Sequence, residues 1–434
     1  MQSYPRNIIG ISPSGVGGCL RAPASKSVAQ RAIAIASLCQ GRSEIWFPGA
    51  CDDVQAAIRV CRTLGANIQG SEDFLVVEGG VRPPVAALQC GESGLGIRMF
   101  SGLAASFSRP VVLAASGSLR KRPMHIVEQS LRAMGVECHT RNGFPPIRVK
   151  GPLPGGTAMI DGSQSSQVLT GILIASPLAQ TDVHLLVKDL KSIPYADITI
   201  RVMKAFGVQV ENRDYREFLV PAHQSYHPQS FRVEGDWSGA AFLLVAGAIG
   251  GSVTVENLDT RSAQADKAIL EALKAAGARI IAGTSKSGQD YISVYRRELS
   301  AFAFDATHCP DLFPPLAALA ANCTGTSRIL GAGRLKTKES DRAATLTDIF
   351  TRMGIEIRIE GDTMLVTGSQ VGGGRISSHG DHRIAMAGAI AALNSRLGVI
   401  IENPEVVNKS YPGFFEDLED LTASQGKLAA PGIK

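Results

Sequence analysis

Acids and bases crowd into a few short stretches of this chain. RLKTKESDR, residues 334–342, holds Lys336, Lys338, Glu339, Asp341 and Arg342. HCPD ends at Asp311, GDHR gives Asp381, His382 and Arg383, and NKSYPG contributes Lys409. Carboxylates and cations interleaved this closely offer proton donors, proton acceptors and anion clamps together. The bland alternative is a set of surface ion pairs, each worth little.

A second group of basic residues lies in small, Gly- and Ser-rich turns in the first half. PASKSVAQR, residues 23–31, carries Lys26, Ser27 and Arg31. Ser25 or Ser27 can cap a helix whose first N–H groups face an anion, with Lys26 as a point charge beside them. In CGESGLGIR, residues 90–98, Gly91, Gly94 and Gly96 let backbone approach a ligand, and Arg98 follows. This loop lacks the Gly-Lys-Ser/Thr ending of a P-loop and the spacing of a dinucleotide fingerprint. SLRKRP holds Arg120, Lys121 and Arg122, a run that is usually solvated. DGSQSSQ, residues 161–167, offers hydroxyls and amides suited to phosphate oxygens, or to an ordinary polar turn.

The elements that position these residues follow a repeat. RTLGANI, LRAMGVEC, MKAFGVQV, LKAAGARI and FTRMGIEI each read as a helix end, a glycine and an alternating run. The glycines are Gly65, Gly135, Gly207, Gly277 and Gly354, at gaps of 70, 72, 70 and 77 residues. A glycine in the left-handed conformation stops each helix and the chain turns into a strand. A second strand signal follows each time: FLVV, PPIRV, EFLV, YISVY and TMLV. Five clear units and a degenerate sixth predict three per domain. Helices are predicted at 25–38, 52–64, 238–249 and 382–393, the last two rich in Ala and Gly and so suited to close packing. VEGDWSGA, residues 233–240, marks the fresh start of a second domain.

The bulk numbers narrow the function classes. A chain of 434 residues has room for two cores. With 44% hydrophobic and 19% charged residues it is globular, not disordered. A formal charge of +5, spread out, does not call for nucleic acid. No apolar run approaches a membrane span, and the start lacks the pattern of a secretory or transit leader, so the cytoplasm is expected. None of the eight cysteines sits in a CxxC, and they are expected to be reduced packing residues.

Taken in order, PASKSVAQR, GESGLGIR, RKRP, DGSQSSQ, SIPYADIT, HCPD, KTKESDR and DHR, with a final Lys409, resemble the enolpyruvyl transferase family, and within it the branch acting on a phosphorylated shikimate. The resemblance runs from about residue 20 to residue 415. It implies an α/β (α+β) fold: a two-domain inside-out α/β barrel, each domain of three βαβαββ repeats around buried helices. The N-terminal domain would span 21–234; residues 1–20 with 235–434 would form the C-terminal one, with the active site in the cleft between them. The implied reaction joins the enolpyruvyl group of phosphoenolpyruvate to the 5-hydroxyl of shikimate 3-phosphate and releases phosphate. It needs no metal, nucleotide or flavin.

The resemblance also implies residue roles. Lys26, Gly94, Arg122, Gln167, Arg342, His382, Arg383 and Lys409 would hold phosphoenolpyruvate. Ser27, Arg31, Ser165, Ser166, Gln167, Ser192, Tyr195, Asp311 and Lys338 would border shikimate 3-phosphate. Asp311 would take the hydroxyl proton; Glu339, with Lys26 as the competing donor, would serve the methylene carbon. A carboxylate beside Lys338 and Arg342 is normally ionised, so Glu339 needs partial burial to act as an acid. Gly94 implies a pocket that admits glyphosate as an inhibitor, and a monomer is expected. The departures from the family pattern are Ala24, Glu92 with Ser93, Ile193 and Arg334. Two rivals remain: the sister enzyme acting on UDP-N-acetylglucosamine, which usually carries a reactive Cys where SGSLRKRP has none, and a non-catalytic anion-binding module, which would not need the acids.

Overall fold

Three helices of each half of the chain have no polar stripe, so neither half can leave them at its surface. In a computed structural model describing residues 2–3, 7–47, 49–285 and 288–423, the chain divides into two units, 24–234 and 1–23 with 235–434.

In the 24–234 unit the helices are α1 (Lys26–Leu38), α2 (Asp52–Thr63), α3 (Gly94–Ala104), α4 (His125–Ala133), α5 (Gln167–Ala175) and α6 (Pro194–Ala205). In the other they are α7 (Trp237–Gly250), α8 (Ile269–Ala275), α9 (Phe313–Ala321), α10 (Arg342–Arg352), α11 (His382–Ala392) and α12 (Phe414–Ala423). The odd-numbered α1, α3, α5, α7, α9 and α11 are buried over nearly their whole length. Each large apolar side chain they bury contributes about 1.5–3 kcal/mol. The inner helices α3 and α5 touch through glycines: a Cβ on Gly102 would lie 2.2 Å from the Gly171 carbonyl carbon.

Each unit has three four-stranded sheets among the described residues. In every sheet one parallel pair is extended by antiparallel strands. Leu88–Gln89 pairs in parallel with Val111–Ala114, and Gly156–Asp161 with Val183–Lys188. A parallel pair needs a crossover, and α3 and α5 supply these two. In five of the six sheets the inner strand of the parallel pair is followed by a more polar helix, then a hairpin. All five repeat glycines have positive φ, from 77° to 105°. The five second-strand signals lie in Phe74–Glu78, Phe144–Lys150, Glu217–Val220, Asp290–Tyr295 and Thr363–Gly368.

The degenerate sixth repeat is completed by the chain start. Gly374–Ser377 and Val399–Glu402 pair in parallel across α11, and Ile8–Ile11 lies antiparallel to Val399–Glu402. Val16–Arg21 then pairs in parallel with Gly251–Glu256 of the same unit. The predicted helix bounds shift by at most one residue. Such shifts are the usual play at helix ends.

Candidate active site

The inner helices of the 24–234 unit begin at three of the singled-out residues: Lys26 opens α1, Gly94 opens α3 and Gln167 opens α5. Helix N-termini carry positive potential and unpaired N–H groups. Lys26 Nζ bonds Asp53 Oδ2 of α2 at 2.9 Å. Ser93 caps α3, its Oγ accepting from Gly96 N at 3.0 Å and donating to Gln30 Oε1 of α1 at 2.8 Å.

Arg98 ties these starts together. Its Nη1 donates to the Gly94 carbonyl and to Gln167 Oε1, each at 3.1 Å, and its Nη2 to the Pro123 carbonyl at 3.3 Å. The basic run divides: Arg120 and Lys121 are exposed while Arg122 is buried. The expectation of a solvated run holds for two of its three members, because the turn directs the third inward. A Cβ on Gly94 would stand 2.6 Å from Arg122 Nη1 and 3.1 Å from Arg98 Nη1.

Of the remaining expected residues of this unit, Ser27 and Tyr195 meet Arg31 through their carbonyls. Arg31 is fully buried, and its donors meet neutral oxygens: Thr199 Oγ1 at 2.9 Å, Thr170 Oγ1 at 3.1 Å, and the carbonyls of Ser27 at 2.8 Å and Tyr195 at 3.5 Å. Burial pulls its pKa down to about 10. Ser166 is buried just before α5, and Ser165 Oγ accepts from Gln167 N at 3.2 Å. Ser192, buried with φ of 55°, turns the chain into α6, and its carbonyl accepts from Tyr195 N.

The other unit gathers its expected residues on Arg342, the first residue of α10, which is fully buried. Nε and Nη2 donate to the two oxygens of Asp381 at 2.7 and 3.3 Å, a two-pronged pairing. Nη1 donates to Asp311 Oδ1 at 2.7 Å and Nη2 to Glu339 Oε2 at 2.6 Å. Asp311 also meets Lys338 Nζ at 3.2 Å and Arg383 Nη2 at 3.3 Å. Asp381 caps α11, accepting from Arg383 N, and lies 3.6 Å from Nδ1 of the buried His382. Lys409 is buried at the end of the Pro404–Lys409 turn, which packs on α11.

The charges respond to this packing. Burial disfavours the charged form of Asp311, but Arg383, Lys338 and Arg342 outweigh it and hold its carboxyl well below the usual range. Burial likewise opposes the charge of Arg342, which Asp381, Glu339 and Asp311 more than restore. Burial lowers Lys338 despite Asp311. The Glu339 side chain is 12% exposed, so the partial burial that an acid role needs is present. Behind Asp311 stands a carboxylate that the motifs did not single out. Asp266 is 1% exposed and bonded by Ser238 Oγ, and burial with the nearby Asp311 pushes its pKa up to about 7.

Asp53, Arg98 and Asp266 were missed as site residues. Arg98 had a signal, standing one helical turn after Gly94; Asp266 had none, since its neighbours come from distant segments. Arg334, a departure from the family pattern, donates to the Thr307 carbonyl at 2.6 Å. Among the described residues no His/Cys/Asp/Glu group could hold a metal ion, and no helix is long and apolar enough to cross a membrane. The eight cysteines form no disulfide among the described residues, and only Cys19 is exposed.

A family model described as EPSP synthase (3-phosphoshikimate 1-carboxyvinyltransferase) matches residues 12–418. The chain belongs to the EPSP synthase family. The 3-phosphoshikimate 1-carboxyvinyltransferase of Clostridium perfringens is 35% identical over 416 residues, covering 95% of this chain and 97% of that enzyme. The Thermococcus kodakarensis enzyme of the same name is 38% identical over 407 residues, covering 94% and 98%. Among solved structures, the EPSP synthase of Acinetobacter baumannii superposes with a TM-score of 0.81 at 28% identity, over 96% of this chain and 98% of that one. The family expected from the eight motifs, and the α/β class that the resemblance implied, are those found.

Proposed function

We propose that this EPSP synthase family member works through two carboxylates, Asp311 and Glu339, poised on one buried guanidinium. The reaction is the transfer of the enolpyruvyl group of phosphoenolpyruvate to the 5-hydroxyl of shikimate 3-phosphate. The hydroxyl oxygen attacks C2 while C3 gains a proton. The tetrahedral intermediate then loses phosphate from C2 and a proton from C3, leaving the enol ether.

The bonds of Arg342 to Asp311 and Glu339, 2.7 and 2.6 Å, carry the assignment of roles. Asp311, ionised at neutral pH, takes the hydroxyl proton. Glu339 delivers and later removes the C3 proton, with Lys26 as the competing donor. Lys26, Gly94, Arg122, Gln167, Arg342, His382, Arg383 and Lys409 hold phosphoenolpyruvate. Ser27, Arg31, Ser165, Ser166, Gln167, Ser192, Tyr195 and Lys338 hold shikimate 3-phosphate, with Asp311 at its reacting hydroxyl. In this reading both units serve one pair of anions, whose repulsion in water is offset by pre-placed Arg and Lys forks. Glyphosate fits the same reading as an inhibitor, because Gly94, with no Cβ, lets the Arg122 guanidinium lie against it. A monomer working in the cytoplasm completes it.

Phosphate release tests the proposal. With phosphoenolpyruvate and shikimate 3-phosphate together, phosphate and product form in equal amounts, and either substrate alone gives none. Release with UDP-N-acetylglucosamine in place of shikimate 3-phosphate would overturn it.

A further inference from the structure

We propose that Glu92 is a positioning residue that braces the turn carrying Arg122 and so holds that guanidinium beside Gly94. The inference rests on the assignment of Arg122 to phosphoenolpyruvate.

Two loops of the 24–234 unit are joined at this point. Glu92 Oε2 accepts from Ser118 N at 3.0 Å and from Ser118 Oγ at 2.7 Å. Ser116 N donates to the Gly91 carbonyl at 2.8 Å, closing the same junction from the other side. The carboxylate packs against Gly117: a Cβ there would stand 1.9 Å from Glu92 Oε1. Gly117 also has φ of 48°, so the position needs glycine on both counts. The turn Gly117–Lys121 is thereby pinned at its first two residues, and Arg122 leaves it directly, with its own N–H on the Leu119 carbonyl at 3.1 Å.

The other end of the brace is the start of α3. Ser93, next to Glu92, caps that helix, and Gly94 is its first residue. One dipeptide thus fixes both the backbone facing the ligand and the turn that presents Arg122 to it. An arginine on a loose turn would sample many positions; a misplacement of about 1 Å can cost about 100-fold in rate. Bonds to an ionised acceptor are about twice as strong as neutral ones. An asparagine here would be one methylene shorter than Glu92, whose Oε2 alone takes both Ser118 bonds.

Steady-state kinetics of Glu92→Ala, Glu92→Gln, Ser118→Ala and Arg122→Ala test the inference, with KM measured for each substrate. Glu92→Ala should raise KM for phosphoenolpyruvate about tenfold and leave KM for shikimate 3-phosphate within about twofold. Glu92→Gln keeps an acceptor and should stay within about threefold of the parent. If Glu92→Ala does not fold, Ser118→Ala, which removes one bond only, should still give about a threefold rise confined to phosphoenolpyruvate. An unchanged KM in Glu92→Ala or Ser118→Ala, beside a raised one in Arg122→Ala, overturns the brace and leaves the Arg122 assignment standing. An unchanged KM in Arg122→Ala removes that assignment and the brace together. Equal rises for both substrates, or no recovery in Glu92→Gln, assign Glu92 to general support of the fold and also overturn it.

Discussion

Asp311 and Arg342 are bonded at 2.7 Å, and the guanidinium that completes this pair is 1% exposed while the carboxylate keeps 24% of its side-chain surface. The acid is therefore held ionised from behind and open in front. Its low pKa makes it a modest base in the resting protein, one that gains strength when an anion draws on the same cations.

Asp311→Ala should lower kcat by about 100-fold or more while both substrates still bind measurably by calorimetry. A loss within about tenfold, about 1.4 kcal/mol in the barrier, would remove Asp311 from the base role.

Arg342→Met leaves Asp311, Glu339 and Asp381 without their shared cation. Breaking such a buried pairing costs about 3–5 kcal/mol, so Tm should fall by about 10 °C. Arg342→Lys restores a charge but not the fork, and should lie between. A Tm for Arg342→Met within about 2 °C of the parent would show that the network is not a support of the fold.

Gly94→Ala sets a methyl group 2.6 Å from Arg122 Nη1. The obstacle is the far end of a flexible side chain, so the fold should survive and the guanidinium should move. KM for phosphoenolpyruvate should rise about tenfold and glyphosate inhibition should weaken, with KM for shikimate 3-phosphate little changed. Equal inhibition of variant and parent would place the inhibitor elsewhere.

Asp266 carries a pH signature. Its pKa is raised to about 7 by burial and by Asp311, against Arg383 and the Ser238 bond, with Asp236 adding to the rise. The folded state therefore holds a proton that the unfolded chain has already lost above the ordinary carboxylate range. Stability from this group is present at low pH and is lost as pH rises from about 4 to about 7. Asp311, with its lowered pKa, has the opposite sign and acts only at more acid pH. Asp266→Asn keeps an acceptor for Ser238 but cannot titrate. The Tm difference, variant minus parent, should become more positive from pH 5 to pH 8.5; a constant difference would contradict the shift.

Much of this was legible in the sequence, for physical reasons. A helix stopped by a left-handed glycine leaves a local signature, so Gly65, Gly135, Gly207, Gly277 and Gly354 marked five of the repeats. The sixth was legible only as a degenerate unit because its hairpin comes from the chain start, with Ile8–Ile11 pairing nearly 400 residues away. The clusters at 334–342 and 380–383 showed that acids and bases were near one another, since the spacing is local. Which acid Arg342 would grip was not readable: Asp381 and Asp311 reach it from α11 and the turn before α9. Asp266 and the Glu92–Ser118 junction depend on contacts between distant segments and leave no periodic trace.

Turnover in deuterium oxide tests the addition–elimination chemistry most directly. If C3 gains a proton from an exchangeable group and then loses one of three from a methyl group, the product's methylene carries deuterium, and Asp311→Ala slows its appearance. Product formed at the full rate with no deuterium at C3 would contradict the account, because C3 would then never have passed through a methyl group.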